Sequence, residues 1–414
     1  MFPTTSLLSL LMVAISLGNI AATPVAKPPP TMSFRTRMNA TDSVNLLTAD
    51  ISRASLLMRN GRIAFSDRAL GKRSSVLSSD VSNAAVTYTT TVNIGSPATE
   101  YTLLIDTGSS NTWIGATGEK TYTSTSSSVS TGQQVSVTYG SGSFSGDEYT
   151  DTVSLGSGLT ISQQSIGVAS SSSGTSNVDG ILGIGPVGLT SGSLTGSSST
   201  VPTVTDNLYS QGIISSNEIG IYFAPQTSSD SGGEMTFGGT DSSKFGGDIT
   251  YAPITSTSPS SEYWGVDAYI NYGGATIMST NAGIVDTGTT MTLIPSDAFA
   301  SYQAATGATV DSATGMLTLS AAQYSALGNL DFNIGGSTLT MTPNAQTWPR
   351  ALNTALGGDA DSIYLVIADI GHNSGSGFDF IAGYTFLERY YSVYDTANKR
   401  VGFASTAHTS DTSN

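Results

Sequence analysis

The 414-residue chain has no cysteine and only two histidines, His372 and His408. The first absence excludes disulfides, thiol nucleophiles and Cys-ligated metals, so stability has to come from packing and backbone pairing. The second makes a Ser-His-Asp triad or a multi-histidine zinc site hard to assemble, the more so because His408 lies in a polar tail. Charge is scarce as well: Asp, Glu, Lys and Arg make up 11% of the residues, with 30 acids against 15 bases. Beyond Leu17 no apolar run approaches the roughly 20 residues a membrane-crossing helix needs. Chemistry is left mainly to carboxylates.

What the chain does have is Ser, Thr and Gly. Alternating stretches rich in Val, Ile, Thr and Tyr, broken by Gly and Ser-Gly turns, read as many short strands and predict an all-β architecture, long enough for two domains. Short helices are expected at Thr203 to Gln211 and Pro295 to Ala305. The apolar stretch Leu7 to Leu17, followed by Ala21 and Ala22, reads as a secretory signal peptide over residues 1–22, although it lacks a positive leading region. The expected mature protein is therefore soluble, exported and free of membrane.

Charge is uneven. Residues 1–73 carry nine of the bases and three of the acids, which leaves the remainder with 21 more negative than positive charges. A basic arm without interleaved aromatics, behind a signal peptide, reads as a propeptide over residues 23–80 rather than a nucleic-acid-binding arm. Ion pairs would hold it on the acidic body at neutral pH, and protonation of the body's carboxylates would release it. Lys72-Arg73 is an expected processing site, with cleavage there or a few residues later. The sequon Asn39-Ala40-Thr41 would leave with the arm.

The tripeptide Asp-Thr-Gly occurs twice. One copy, Asp106-Thr107-Gly108, follows Leu103-Leu104-Ile105 and precedes Ser109-Ser110-Asn111-Thr112-Trp113. The other, Asp286-Thr287-Gly288, follows Gly283-Ile284-Val285 and precedes Thr289-Thr290-Met291-Thr292. A single copy reads as a turn. Two copies in matched settings point to one carboxylate from each of two related lobes, because an Asp at the end of an apolar strand is costly unless it has work to do. Two carboxylates held together share a proton and titrate as a pair, so one serves as base and the other as acid toward a bridging water. Thr at the second position can bond across to the other lobe, and Gly at the third lets the backbone approach. Ser109 and Thr289 place hydroxyls beside the outer carboxylate oxygens. No metal or organic cofactor is called for.

These segments resemble the active-site loops of the pepsin family of aspartic peptidases, and the Ser/Thr-rich, cysteine-free composition resembles its members secreted by fungi. Val137-Thr138-Tyr139-Gly140-Ser141-Gly142-Ser143 resembles the family's flap hairpin. Asp179-Gly180-Ile181-Leu182-Gly183 resembles the apolar-apolar-Gly element that supports the first loop, and Phe380-Ile381-Ala382-Gly383 its carboxyl-lobe counterpart. The resemblance implies a bilobal fold of two pseudo-symmetric β-rich lobes, at about 84–252 and 253–405, with a polar tail over 406–414. A deep cleft would lie between the lobes, and a flap would come from the amino lobe.

It also implies roles. Asp106 and Asp286 would be catalytic, with Thr107, Gly108, Ser109, Thr287, Gly288 and Thr289 supporting them. Tyr139 would be the flap tyrosine, bonded to the Trp113 indole. Gly140 and Ser141 would bond the substrate backbone, Gly108, Gly288, Thr289 and Thr290 would line the cleft, and Ile105, Ile181 and Ile381 would be apolar walls. The partner would be an extended peptide bound in strand-addition mode to a monomeric enzyme. Ala382 stands where the family usually has Leu. Ser141 stands where some relatives carry an Asp that favours Lys, which implies bulky apolar side chains on both sides of the cleaved bond.

Other signals weigh less. Gly183-Ile184-Gly185-Pro186-Val187-Gly188 fits a dinucleotide fingerprint, with Asp206 downstream, but Pro186 and the Ser/Thr-rich sequence after it argue against the helix that motif requires. The patches Ser124 to Ser130, Ser170 to Ser173 and Ser256 to Ser261 read as exposed loops. A catalytically silent relative would lack one Asp or Gly of the pairs, and all four are kept. A cell-wall glycoprotein would carry an anchoring tail, and the sequence after Ala404 is polar.

Overall fold

The computed structural model describes residues 28–38, 46–70, 86–115, 120–139, 142–173, 178–197, 199–224 and 232–412. The expected signal peptide, Lys72-Arg73, the 39–41 sequon, the Tyr139 side chain and the flap tip Gly140-Ser141 lie outside them. Strands dominate, as the β-branched and aromatic alternation dictates. Among the described residues thirteen strands form one sheet, seven a second and three a third.

One motif occurs in both large sheets. In the first, Thr99–Asp106 runs parallel to Gly180–Gly183, which also pairs antiparallel with Thr112–Ile114. In the second, Ala275–Val285 runs parallel to Ile381–Ala382, which meets Thr292–Ile294 antiparallel. Each Asp-Thr-Gly loop thus leaves the end of a buried strand and returns past a short supporting strand. The crossing is tight. A Cβ on Gly183 would stand 2.6 Å from the Asn111 carbonyl oxygen, and one on Gly383 would collide with that of Met291, so only glycine fits at either point.

Backbone pairing also ties the chain's end to its middle. Tyr390–Asp395 pairs with Glu218–Phe223, and Arg400–Ser405 with Gly246–Pro253, all within the thirteen-stranded sheet. The helices Val204–Ser210 and Ser296–Thr306 stand where capping and Pro signals predict them, the first with a Thr203/Asp206 capping box and the second closed by Gly307 in the left-handed region. Two expectations need correction. Ser170 to Ser173 end the strand Thr160–Ser173 instead of forming a loop, and Ser260 is fully buried, donating to the Gly377 carbonyl at 2.6 Å. After Gly183 only the short turn of helix Val187–Thr190 forms, too little for a nucleotide fold.

The basic arm contributes two elements. Thr31–Met38 is a strand between Gly232–Phe237 and Val86–Ile94, antiparallel to both, with Met32 and Phe34 in the core. Leu46–Leu70 is a 25-residue helix. Its residues Leu46, Ala49, Asp50, Arg53, Ala54, Leu57 and Gly61 recur at intervals of three and four and form one buried face, which lies in the cleft between the two Asp-Thr-Gly loops. Gly61 allows the closest approach: a Cβ there would stand 2.7 Å from that of Pro259 and 2.9 Å from the Tyr263 ring.

Candidate active site

The two loops interlock about a two-fold axis. Thr107 N–H donates to Thr287 Oγ1 at 3.0 Å and Thr287 N–H to Thr107 Oγ1 at 2.9 Å. The same hydroxyls donate onward, Thr107 to the Val285 carbonyl at 3.2 Å and Thr287 to that of Ile105 at 3.1 Å. Each hydroxyl both accepts and donates, which satisfies four buried backbone groups that the loop geometry would otherwise strand.

The carboxylates sit inside this grip, both 0% exposed. Gly108 N–H donates to Asp106 Oδ1 at 2.9 Å, and Gly288 N–H to Asp286 Oδ1 at 3.0 Å. Ser109 and Thr289 hydroxyls hold the opposite oxygens, each at 2.6 Å. A Cβ on Gly108 would come within 2.6 Å of Asp286 Oδ1, and one on Gly288 within 2.6 Å of Asp106 Oδ1. The third position of each tripeptide is therefore glycine because the other lobe's carboxylate fills the space.

One cation joins the pair. Arg53 Nη2 lies 2.7 Å from Asp106 Oδ1 and 3.0 Å from Asp286 Oδ1, while its Nε lies 2.8 Å from Asp286 Oδ2. A single nitrogen thus reaches one oxygen of each carboxylate. Burial works against ionisation of both acids. For Asp286 the Arg53 ion pair and the Thr289 and Gly288 bonds outweigh it, and the carboxyl is held below the ordinary carboxylate range. For Asp106 burial and the neighbouring Asp286 prevail, and it is raised. The pair therefore holds its negative charge unequally, with Asp286 the more acidic member.

Further bonds fix the helix. Met291 N–H donates to Asp50 Oδ2 at 2.7 Å and Thr290 N–H at 3.1 Å, Tyr263 OH donates to the Leu57 carbonyl at 2.7 Å, and Asn60 Nδ2 reaches the Thr138 carbonyl at 3.5 Å. Leu57, Ile63 and Ala64 face a cavity of about 70 Å³ shared with Ser109, Asn111, Val137, Leu189 and Tyr263.

Six of the residues singled out in the sequence, Thr107, Gly108, Ser109, Thr287, Gly288 and Thr289, thus surround Asp106 and Asp286. Trp113 stacks on Phe144 with centroids 4.4 Å apart, in a small cluster with Val135 and Ile181. Ile105 and Ile381 are packed in the main core beneath the loops. The hairpin of Val129–Tyr139 and Gly142–Ser154 is closed in the register Tyr139 to Gly142. The bond expected between Tyr139 and Trp113 falls outside the described residues. Sequence reasoning missed Asp50 and Arg53. It also missed the Trp264 indole, which donates to the Ile184 carbonyl at 3.2 Å and ties the two halves together behind the site.

Known proteins resemble this chain over most of its length. Residues 87–406 match the family model of eukaryotic aspartyl proteases. The chain is 62% identical over 335 residues to polyporopepsin of Irpex lacteus, covering 80% of this chain and 98% of that one. It is 31% identical to pepsin A of Sus scrofa over 337 residues, 77% and 81% of the two chains. A crystal structure of the aspartic proteinase from Irpex lacteus superposes with a TM-score of 0.76 at 61% identity, covering 79% of this chain and 96% of that one. With two β-rich halves meeting at paired Asp-Thr-Gly loops, the chain belongs to the eukaryotic aspartyl proteases and is an aspartic-type endopeptidase of pepsin-like fold.

Proposed function

We propose that the chain is a secreted acid endopeptidase made as a zymogen, and that it cleaves peptides by a water activated between Asp106 and Asp286. The observation that carries this is the position of Arg53 Nη2. An atom in that place lies within hydrogen-bond distance of both carboxylates. Once the guanidinium leaves, a water there can give a proton to the ionised carboxylate as it attacks the peptide carbonyl, while the protonated partner donates to the carbonyl oxygen; the carboxyl that took the water's proton then protonates the leaving nitrogen as the C–N bond breaks, and the partner takes its own proton back from the diol. The hydroxyls of Ser109 and Thr289 hold the outer oxygens, and the inner ones, which accept the Gly108 and Gly288 amides, are those that Arg53 Nη2 reaches.

Substrate would lie extended across the cleft, with Gly140 and Ser141 bonding its backbone, Thr290 lining the cleft and Tyr139 closing over it from the flap. The substrate would carry bulky apolar side chains on both sides of the cut bond, and the cavity that Leu57 and Ile63 of the helix line together with Val137, Leu189 and Tyr263 offers an apolar wall for one of them. Residues 1–22 would direct export and 23–80 would form the propeptide, leaving lobes at about 84–252 and 253–405 and a monomeric extracellular enzyme.

Acid release follows from the sign of the Arg53 effect, which lowers both carboxyls in the docked state. A carboxylate that docking lowers contributes to docking while it is ionised and loses that contribution as pH falls through its lowered value. The test is to acidify the purified full chain and follow casein or haemoglobin cleavage with and without a statine-type inhibitor. Cleavage should begin after acidification and stop with the inhibitor. Undiminished cleavage by Asp286→Asn would rule the mechanism out.

A further inference from the structure

Asp50 lies one helical turn before Arg53 on the buried face of Leu46–Leu70 and is 2% exposed. Its carboxyl group is bound by backbone: Oδ2 accepts from Met291 N–H at 2.7 Å and from Thr290 N–H at 3.1 Å, and Oδ1 lies 3.3 Å from Thr290 N. Two fixed amide donors on a loop set both where the helix sits along the cleft and how it is rotated. With Asp50 seated there, a residue three positions on reaches the carboxylate pair. We propose that Asp50 is a positioning residue that seats the helix on Thr290 and Met291 and grips more tightly on mild acidification, opposite in sign to the Arg53 ion pairs. This rests on the reading of the helix as a removable mask over the site.

The groups around Asp50 decide that sign. Its own helix offers Arg53, which favours the charged form, as do the two backbone bonds. The Asp286 loop offers a like charge, which disfavours it. Tyr384, at the start of Tyr384–Leu387, lies within electrostatic reach of both Asp50 and Glu388, and the loop beside Ile51 at Gly371 carries His372. Burial is the largest influence, and the carboxyl is pushed up from 3.8 to about 7. An acid raised in the docked state holds a proton that the undocked helix does not, so docking strengthens as pH falls from about 7 toward 4. The neutral acid keeps both amide bonds, since Oδ2 as its carbonyl oxygen accepts them. Below that window the Asp286 contribution is lost and the helix lets go. The mask is therefore tightest in mild acid, loosening on either side.

Amide hydrogen exchange on the full-length chain tests this between pH 7.5 and 5, normalised to the chemical exchange rate, with strand Ala275–Val285 as internal reference. Wild-type protection across residues 46–70 should rise toward tenfold per pH unit as pH drops. Asp50→Asn, neutral throughout and still able to accept from the amides, should keep its protection with no slope. Asp50→Ala should be less protected at every pH. A slope in Asp50→Asn equal to the wild type's, or no slope in the wild type, overturns the proposal. An unprotected helix in the wild type at every pH overturns the masking itself along with it.

Discussion

The two Asp-Thr-Gly loops match almost bond for bond, yet only one of them carries a side chain of the helix on its flank. On the amino side Ser110 donates to the Pro186 carbonyl at 2.7 Å and Asn111 Nδ2 to Ser193 Oγ at 3.1 Å, so the loop is closed by its own neighbours. On the carboxyl side the corresponding Thr290 and Met291 turn their N–H groups to Asp50. The shared part is what two carboxylates need if they are to divide one proton. The differing part is where another segment can dock. Symmetry serves the chemistry, and departure from it serves occupancy of the cleft.

The comparison is broken most severely by removing one charge. Asp106→Asn and Asp286→Asn should each cost roughly 10²- to 10⁴-fold or more in the rate of peptide hydrolysis after activation, with folding retained. A variant of either kind with near-normal activity would show that the two halves are not equivalent partners.

The grip offers the next largest effect. Thr107→Ala and Thr287→Ala each strand buried backbone groups, and each should cost about 1–3 kcal/mol in denaturant unfolding. Because the bonds are two-fold related, the two losses should agree. A large difference would assign the grip to one lobe. Gly61→Ala acts on the docked helix instead. Alanine favours a helix over glycine by about 1 kcal/mol, but the added Cβ meets Pro259 and Tyr263, an overpacking that costs typically 1–3 kcal/mol. Hydrogen exchange across residues 46–70 should speed up, although the helix is intrinsically better.

The smallest effect sharpens the comparison. The hydroxyls of Ser109 and Thr289 both lower the acid they hold. In Thr289→Ala the acidic limb of the pH–rate profile, and in Ser109→Ala the alkaline limb, should therefore move upward, by up to about one pH unit. A downward move in either would contradict the hydrogen-bond direction.

Much of this site was legible because its chemistry is written locally. Asp, Thr, Gly and a hydroxyl at fixed spacing, repeated in matched apolar settings, encode the carboxylates, the grip and their supports. The strands followed from β-branched alternation, and the helices Val204–Ser210 and Ser296–Thr306 from their caps. The arm is legible in the sequence only as charge. Its helix has an interior Gly61, and Asp50 and Arg53 interrupt its buried face, so the hydrophobic period is broken where the function lies. Arg53 looked like one base among nine, and its partners stand 53 and 233 positions away. The diffuse ion pairing expected of the arm is concentrated, at this residue, in one guanidinium between two carboxylates. The Trp264 bond to Ile184, spanning 80 positions, is invisible to local pattern for the same reason.

The central claim is that Arg53 silences a finished catalytic pair. The most direct measurement is the initial rate at which the uncut full-length chain hydrolyses an internally quenched peptide at mildly acidic pH, for wild type and Arg53→Ala. Breaking a buried ion pair costs about 3–5 kcal/mol, enough to shift docking by two to three orders of magnitude. Arg53→Ala should therefore cleave from the first seconds, and the wild type only after a lag that ends as residues 23–80 are removed. Equal lags in the two proteins, or no lag in the wild type, would contradict the account.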